Sequence, residues 1–341
     1  MRILAIRSSA MGDVALTLPP VISFIRRFPE HKLTLLTSAQ FGKLFDSKDA
    51  PEVFLADFRG KYSGMPGLLK LFIDLKVSVN PDIVLDLHGV LRSKVLTTLF
   101  TLSGIKVYSI DKGRKEKKQL LKGKVNSALK HSTERYMDVF REAGFDFPVE
   151  GERWLTTEAA LPPEFAETII KEKKKIGVAP YARHALKMWP EEKMIKLLQD
   201  LAEEYDSTIF LFGGGKEEIR KINTLKLSVP NSIIVAGKLD LQQEIALIGK
   251  LDLMIAMDSS NMHLGALAGV PTVSIWGATH PMAGFKAYNQ PDDYSVQISK
   301  DELECRPCTI YGKGECRRKD FACMNTLSTA MVMKVVRKVL G

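Results

Sequence analysis

The stretch LDLMIAMDSSNMHLGALAGVPTVSIWG, residues 251–277, joins two apolar runs through a short segment of small residues. Each run has the length and composition of a strand buried on both faces, and the segment between them reads as a helix. A strand, a helix and a second strand in succession make the crossover that parallel strands require. Asp258, Ser259, Ser260 and His263 fall where the first strand ends and the helix begins. In an open parallel sheet, ligands bind at that end of the strands.

The same alternation extends outward in both directions. KKIGVAP (174–180), STIFLFGGG (207–215) and NSIIVAG (231–237) read as further strands of the second half. PEEKMIKLLQDLAEEY (190–205) reads as a helix opened by a proline. In the first half, RILAIR (2–7), KLTLLTS (32–38) and PDIVLDLHG (81–89) read as strands. Helices are predicted over 17–28, whose prolines fall in the first turn, over 65–79, and over 131–144, closed by Gly144. The basic segment 111–130, DKGRKEKKQLLKGKVNSALK, predicts an exposed loop or mobile helix. Residues 146–164 carry three prolines and a glycine and read as a connection between domains. The fold class is therefore α/β with two Rossmann-like domains: 1–155, 156–325, and a carboxyl-terminal helix within 326–341 expected to pack back on the first domain.

The chain has 341 residues, more than one ordinary core organises. No apolar run approaches the ~18 residues of a membrane span. The amino terminus is too short in apolar residues for a signal peptide, and a cytoplasmic protein is expected. A net charge of +9 favours anionic partners such as nucleotides, phosphorylated sugars or an acidic membrane face, against the plainer reading of a lysine-rich solvated surface. The basic residues are not interleaved with stacking aromatics, which argues against nucleic acid.

Polar residues at the predicted strand ends form the candidate constellation. Ser8, Ser9, Gly12 and Asp13 follow the first strand, and His88 and Arg92 follow PDIVLDL. Lys187 follows KIGVAP, and Gly213, Gly214 and Glu217 follow TIFLF. Unpaired N–H groups at the helix start after Asp258 would hold a phosphate, with hydroxyls from Ser259 and Ser260 on the same oxygens. The plain alternative is helix capping by Asp258 or Ser259, which leaves His263 and GALAG unexplained. Asp13 is read either as a general base or as a helix cap. The glycines of GGGKE alone mark no more than a turn.

Four cysteines cluster in CRPCTIYGKGECRRKDFACM: Cys305, Cys308, Cys316 and Cys323. Their spacing could bind a structural zinc through four thiolates, with reduced packing thiols or disulfides as the alternatives.

Four blocks together resemble glycosyltransferase family 9, the heptosyltransferases of lipopolysaccharide core assembly. They are ILAIRSSAMGDVALTLPPVISFIRRFP, RHALKMWPEEKMIKLL, FLFGGGKEE and DSSNMHLGALAGVPTVSIWGATHP. The resemblance implies a GT-B fold, with two Rossmann-like domains and a ligand cleft between them, and an inverting sugar transfer. It implies ADP-heptose as donor and an anionic, lipid-linked saccharide as acceptor, at the cytoplasmic face of the inner membrane. Asp13 then matches the base that activates the acceptor hydroxyl, with Ser9, His88 and Arg92 beside the acceptor. Lys187 matches the lysine on the donor phosphates, Glu217 the acid near the nucleoside, and Asp258, Ser259 and His263 the diphosphate-sugar signature. No metal is required for the transfer. Ser260 stands where the family usually has glycine, and Thr279-His280-Pro281 where Thr-Asp-Pro is common; both departures bear on the sugar. The alternatives are transfer of another nucleotide sugar in O-antigen or capsule synthesis, a nucleotide-sugar epimerase of the same fold, and a non-catalytic anion-binding module.

Overall fold

The computed structural model describes residues 1–171 and 173–341. The chain divides into two compact units, Met1–Arg114 with Lys130–Leu155, and Lys115–Leu129 with Thr156–Gly341.

The first unit holds a five-stranded sheet of β1 (Arg2–Ile6), β2 (Lys32–Ser38), β3 (Glu52–Ala56), β4 (Ile83–Asp86) and β5 (Lys106–Ser109). Its order is β3-β2-β1-β4-β5, and every pair is parallel. The helices are α1 (Met11–Ala15), α2 (Leu18–Arg27), α3 (Gly64–Ser78) and α4 (Leu91–Leu102). Next, α5 (Arg114–Leu121) opens the segment that joins the second unit, and α6 (Ser132–Glu142) resumes the first. Leu4, Ile6, Val84, Leu71 and Phe100 form the core on one side of the sheet. On α2, Phe24 packs its ring on Phe140, Phe145 and Phe147. Strand order reverses between β1 and β4, so their carboxyl ends leave the crevice in which such sheets bind ligands.

The second unit opens with α7 (Pro163–Ile170) and has a six-stranded sheet. Its strands are β6 (Lys174–Ala179), β7 (Ser207–Leu211), β8 (Ile233–Ile234), β9 (Leu253–Met257), β10 (Thr272–Trp276) and β11 (Ser295–Gln297), in the order β11-β10-β9-β6-β7-β8. All its pairs are parallel. The intervening helices are α8 (Glu191–Glu204), α9 (Lys216–Ser228), α10 (Leu241–Ile248) and α11 (Ser260–Leu267), followed by α12 (Ala322–Asn325) and α13 (Thr329–Leu340). The reversal here lies between β6 and β9. Residues 251–277 form the strand, helix and strand that their pattern predicts. The small residues of α11 have a packing reason: a Cβ on Gly265 would stand 2.8 Å from Thr272 Oγ1 and 3.0 Å from Met254 Cβ.

Two segments differ from the sequence reading. Residues 111–130 are largely exposed and open with the helix α5, but the segment is anchored by its leucines. Leu120, Leu121 and Leu129 pack with Met282, Ala283, Phe285 and Ile310, and the Leu129 N–H donates to Met282 O at 2.8 Å. The lysines that make this segment look exposed flank leucines that anchor it, and Lys117 lays its ammonium 4.8 Å from the Phe285 ring centre. The carboxyl-terminal helix, expected to return to the first domain, belongs to the second unit. There α13 buries Val332, Met333 and Val336, and Arg337 forks onto Glu204 of α8 at 2.7 and 2.6 Å.

Candidate active site

In the first unit, polar side chains gather beyond β1 and β4. Arg7 leaves the end of β1 almost wholly buried and donates to Leu87 O at 2.8 Å. Its other terminal nitrogen lies 2.8 Å from the Asp13 carboxylate, which is 42% exposed. A carboxylate that meets water while a buried guanidinium fixes its direction is suited to accept a proton from a hydroxyl. Asp13 is not the N-cap of α1: Ala10 holds that position, and Asp13 lies in the first turn. Tyr136 of α6 donates its hydroxyl to the Asp13 carbonyl at 3.2 Å and fixes the α1 backbone.

His88 Nδ1 and Ser8 Oγ stand 2.9 Å apart. Burial, reinforced by Arg7 and Lys112, holds the His88 imidazole down at about 3. His88 is thus a neutral hydrogen-bonding group at physiological pH, not a cation for an anionic acceptor. Charge comes instead from Arg92, exposed at the start of α4 and stacked 4.3 Å from the Phe58 ring, and from Lys112, whose ammonium burial and Arg7 push down. Ser9 lies half-buried just before α1.

In the second unit, the corresponding constellation lies beyond β6 and β9. Lys187 Nζ sits 2.7 Å from Asp258 Oδ2, with both side chains largely shielded from water. Thr279 Oγ1 donates to the same carboxylate oxygen at 2.7 Å. Asp258 therefore does not cap α11. Ser259 is the N-cap residue, yet its side chain makes no cap bond, and its buried hydroxyl has no hydrogen-bond partner among the described residues. A capping serine would bond the N2 or N3 amide. The amino terminus of α11, with Ser259 at its N-cap, Ser260 at its first position and the buried His263 one turn on, thus follows directly on the Asp258 that pairs with Lys187.

At the glycine turn, Glu217 is exposed and pairs along the α9 surface with Arg220 at 3.1 Å. Its neighbour Glu218 accepts the Gly214 N–H at 3.0 Å and closes the turn. Gly213 is required by packing, since a Cβ there would stand 2.6 Å from Ile222 Cδ1, whereas Gly214 has open space.

The cysteines lie in the loop that walls this site. All four are free thiols, with Cys323 buried and the others half-buried against the core. Burial pushes Cys323 up to about 11. Among the described residues, no three His, Cys, Asp or Glu side chains are gathered closely enough to hold a metal ion. Sequence reading missed Arg306, between Cys305 and Cys308. Only 2% exposed, it donates to Gly277 O at 2.6 Å, Thr279 O at 3.0 Å and Ile298 O, and ties the loop to the strand end that carries Thr279. From the same loop Gly312 faces Lys187 so closely that a Cβ would stand 2.7 Å from Lys187 Cε.

The sequence profile of glycosyltransferase family 9 (heptosyltransferase) matches residues 70–315. The lipopolysaccharide core heptosyltransferase OpsX of Haemophilus influenzae is 25% identical over 287 residues, covering 81% of this chain and 79% of that protein. Among solved structures, a family 9 glycosyl transferase from Veillonella parvula superposes with a TM-score of 0.74 at 19% identity, covering 99% of this chain and 97% of that one. The Escherichia coli heptosyltransferase WaaC with ADP-2-deoxy-2-fluoro heptose superposes with a TM-score of 0.70 at 18% identity, covering 99% of each chain. These likenesses identify the two parallel-sheet units as the GT-B fold. By the reach of the family match, the chain belongs to glycosyltransferase family 9, the heptosyltransferases, and is a glycosyltransferase.

Proposed function

We propose that this enzyme transfers heptose, with inversion, from ADP-heptose to a saccharide of the lipopolysaccharide core at the cytoplasmic face of the inner membrane. The observation that carries the donor half is the α11 amino terminus. There Asp258 is turned away from capping by Lys187 and Thr279, and Ser259 keeps a buried hydroxyl unpartnered among the described residues. Such a site suits a diphosphate. As the bond to the anomeric carbon breaks, charge grows on the leaving phosphate oxygen. Lys187, the α11 amides, Ser259 and His263 would stabilise that charge without a metal. Asp13, aimed by Arg7, would take the acceptor hydroxyl proton as the oxygen attacks the opposite face of the sugar. Neutral His88 and cationic Arg92 would orient the acceptor. The relatives support this reading through their names: OpsX is a core heptosyltransferase, and WaaC has been solved with an ADP-heptose analogue. A structural zinc at Cys305, Cys308, Cys316 and Cys323 would lie outside the reaction. Metal analysis of the purified protein tests it: one zinc per chain would show that the thiols close on an ion, and none leaves them as packing thiols.

Calorimetry with ADP, UDP, GDP, CMP and ADP-heptose, on wild type and His263→Ala, tests the donor. Selective ADP and ADP-heptose binding, weakened by the substitution, is the expected result. Selective UDP or GDP binding would overturn the donor while keeping the reaction class. No nucleotide binding would overturn the reading.

A further inference from the structure

Helix α3 is apolar on two faces. Leu68, Leu71 and Leu75 are buried in the first unit. Met65, Leu69, Ile73 and Val77, each four residues after the last, form a second stripe that is 57%, 46%, 58% and 81% exposed. A surface helix of a water-soluble domain ordinarily carries polar residues there. The helical period places Lys76 within the stripe, between Met65 and Leu69, and exposed Lys70 at its border beyond Val77. Asp74, the one acid of the helix, lies past Lys70 and is held by Lys61 and Tyr62, each at 2.8 Å.

The stripe begins at the acceptor end of the unit. Helix α3 follows β3, so Met65 lies toward the carboxyl edge of the sheet, where Asp13 and His88 stand. Leu91, 80% exposed, and Arg92 open α4 at that same edge. Arg92 stacks on Phe58 of the loop that leads to α3, which makes the two helix starts neighbours. Arg59 and Lys61 of that loop are exposed as well. Apolar side chains bracketed by lysines match the boundary between acyl chains and anionic headgroups. A second copy of this chain fits less well, because two-fold pairing of the stripe brings like lysines together.

We propose that α3 lies on an anionic lipid bilayer, with Met65, Leu69, Ile73 and Val77 at the acyl boundary and Lys70 and Lys76 among the lipid phosphates. This deepens the proposed function and rests on it for the lipid-linked acceptor: the surface brings the Asp13 end against the leaflet that carries it.

The test is flotation of the full chain with vesicles of phosphatidylcholine alone or mixed with phosphatidylglycerol, at low and high salt. Wild type should float with the mixed vesicles, weakly with the neutral ones, and be released by salt. Ile73→Glu/Val77→Glu should lower partition at least tenfold, and Lys70→Ala roughly fivefold. Both sites are exposed, so the double variant should keep the wild-type urea midpoint and ADP binding. The proposal is overturned if wild type ignores anionic vesicles or if the double variant floats equally well. It is also overturned if sedimentation shows that the double variant breaks a dimer without changing flotation. Loss of ADP binding by wild type would instead overturn the donor reading and leave the flotation result standing.

Discussion

Lys187 and Asp258 are 2.7 Å apart, with 15% and 6% of their side-chain surfaces exposed. Removing one member of such a pair leaves the other charge buried and uncompensated, at a cost of about 3–5 kcal/mol. Lys187→Met should therefore destabilise the chain and, for the proposed donor site, lower ADP affinity at least tenfold, because the diphosphate would lose a cation. Adding Asp258→Asn should restore most of the stability and none of the affinity. Urea unfolding and calorimetry on both variants separate the two effects. His88 gives a pH signature. Its folded-state value of about 3 lies below the ordinary 6.5, so the unfolded chain takes up its proton first as pH falls. Its contribution to stability is complete above about pH 6.5 and is lost progressively toward pH 3, with a limiting slope of about 1.4 kcal/mol per pH unit. His88→Gln should flatten the urea-unfolding profile over that range by up to one proton. His280, held at about 4 by burial and then by Arg306 and Lys300, adds a contribution of the same sign over a narrower window, lost between about pH 6.5 and pH 4. Lys187, Asp258, Asp13 and His88 were legible because each lies in sequence beside a strand end. Arg7, Tyr136 and Arg306 were not. Their partners are set by where the strands lie in space, and Arg7 reads as the tail of an apolar strand.

At the scale of elements, the long buried strands were readable and the marginal ones were not. Strands β9 and β10 are buried at every position and show as continuous apolar runs. The edge strand β5 has only half-buried and exposed residues, so KVYS carries no pattern to read. Strand β3 has only one buried residue, and α4 lacks a clear apolar face. The cysteine loop was legible as a cluster, but its role was not. Cysteine spacing draws attention to an ion, and nothing in it announces Arg306 on the Thr279 carbonyl or Gly312 against Lys187. Gly312 gives a controlled test. Gly312→Ala meets a φ of +78° and Lys187 Cε, while Gly314→Ala meets a φ of +98° with open space around it. Both substitutions should cost about 1 kcal/mol of stability through backbone strain. Only Gly312→Ala should also weaken ADP binding, by roughly tenfold, because only it displaces Lys187, the lysine proposed to meet the phosphate. Equal affinity in the two variants would remove the loop from the donor site.

For the molecule as a whole, the chain does not divide in sequence order. Residues 115–129 leave the first unit, join the second, and give the chain back at Lys130. The segment lands on Met282, Ala283 and Phe285, just beyond Thr279, and on Ile310, four residues after Arg306. It thus supports the outer side of the loops that hold Lys187 and Asp258. Sequence reading divides the chain once, near residue 155, because the proline-rich connection is a local signal. A basic segment whose three leucines find partners some 150 residues onward gives no such signal. The consequence is that a core substitution in this segment should weaken the far half of the chain. Leu120 is 2% exposed, so Leu120→Ala should cost about 2–4 kcal/mol. Hydrogen exchange should show the loss of protection at the Leu129 amide, which bonds Met282, and at Ala283, whose amide bonds His280. The amides of β1, β2 and β4 should keep their protection, because their ladder closes within the first unit. Loss spread evenly over both sheets would mean that the chain opens as one cooperative body. Loss confined to the loops around Met282 would show that the first half of the sequence supplies part of the second unit's stability.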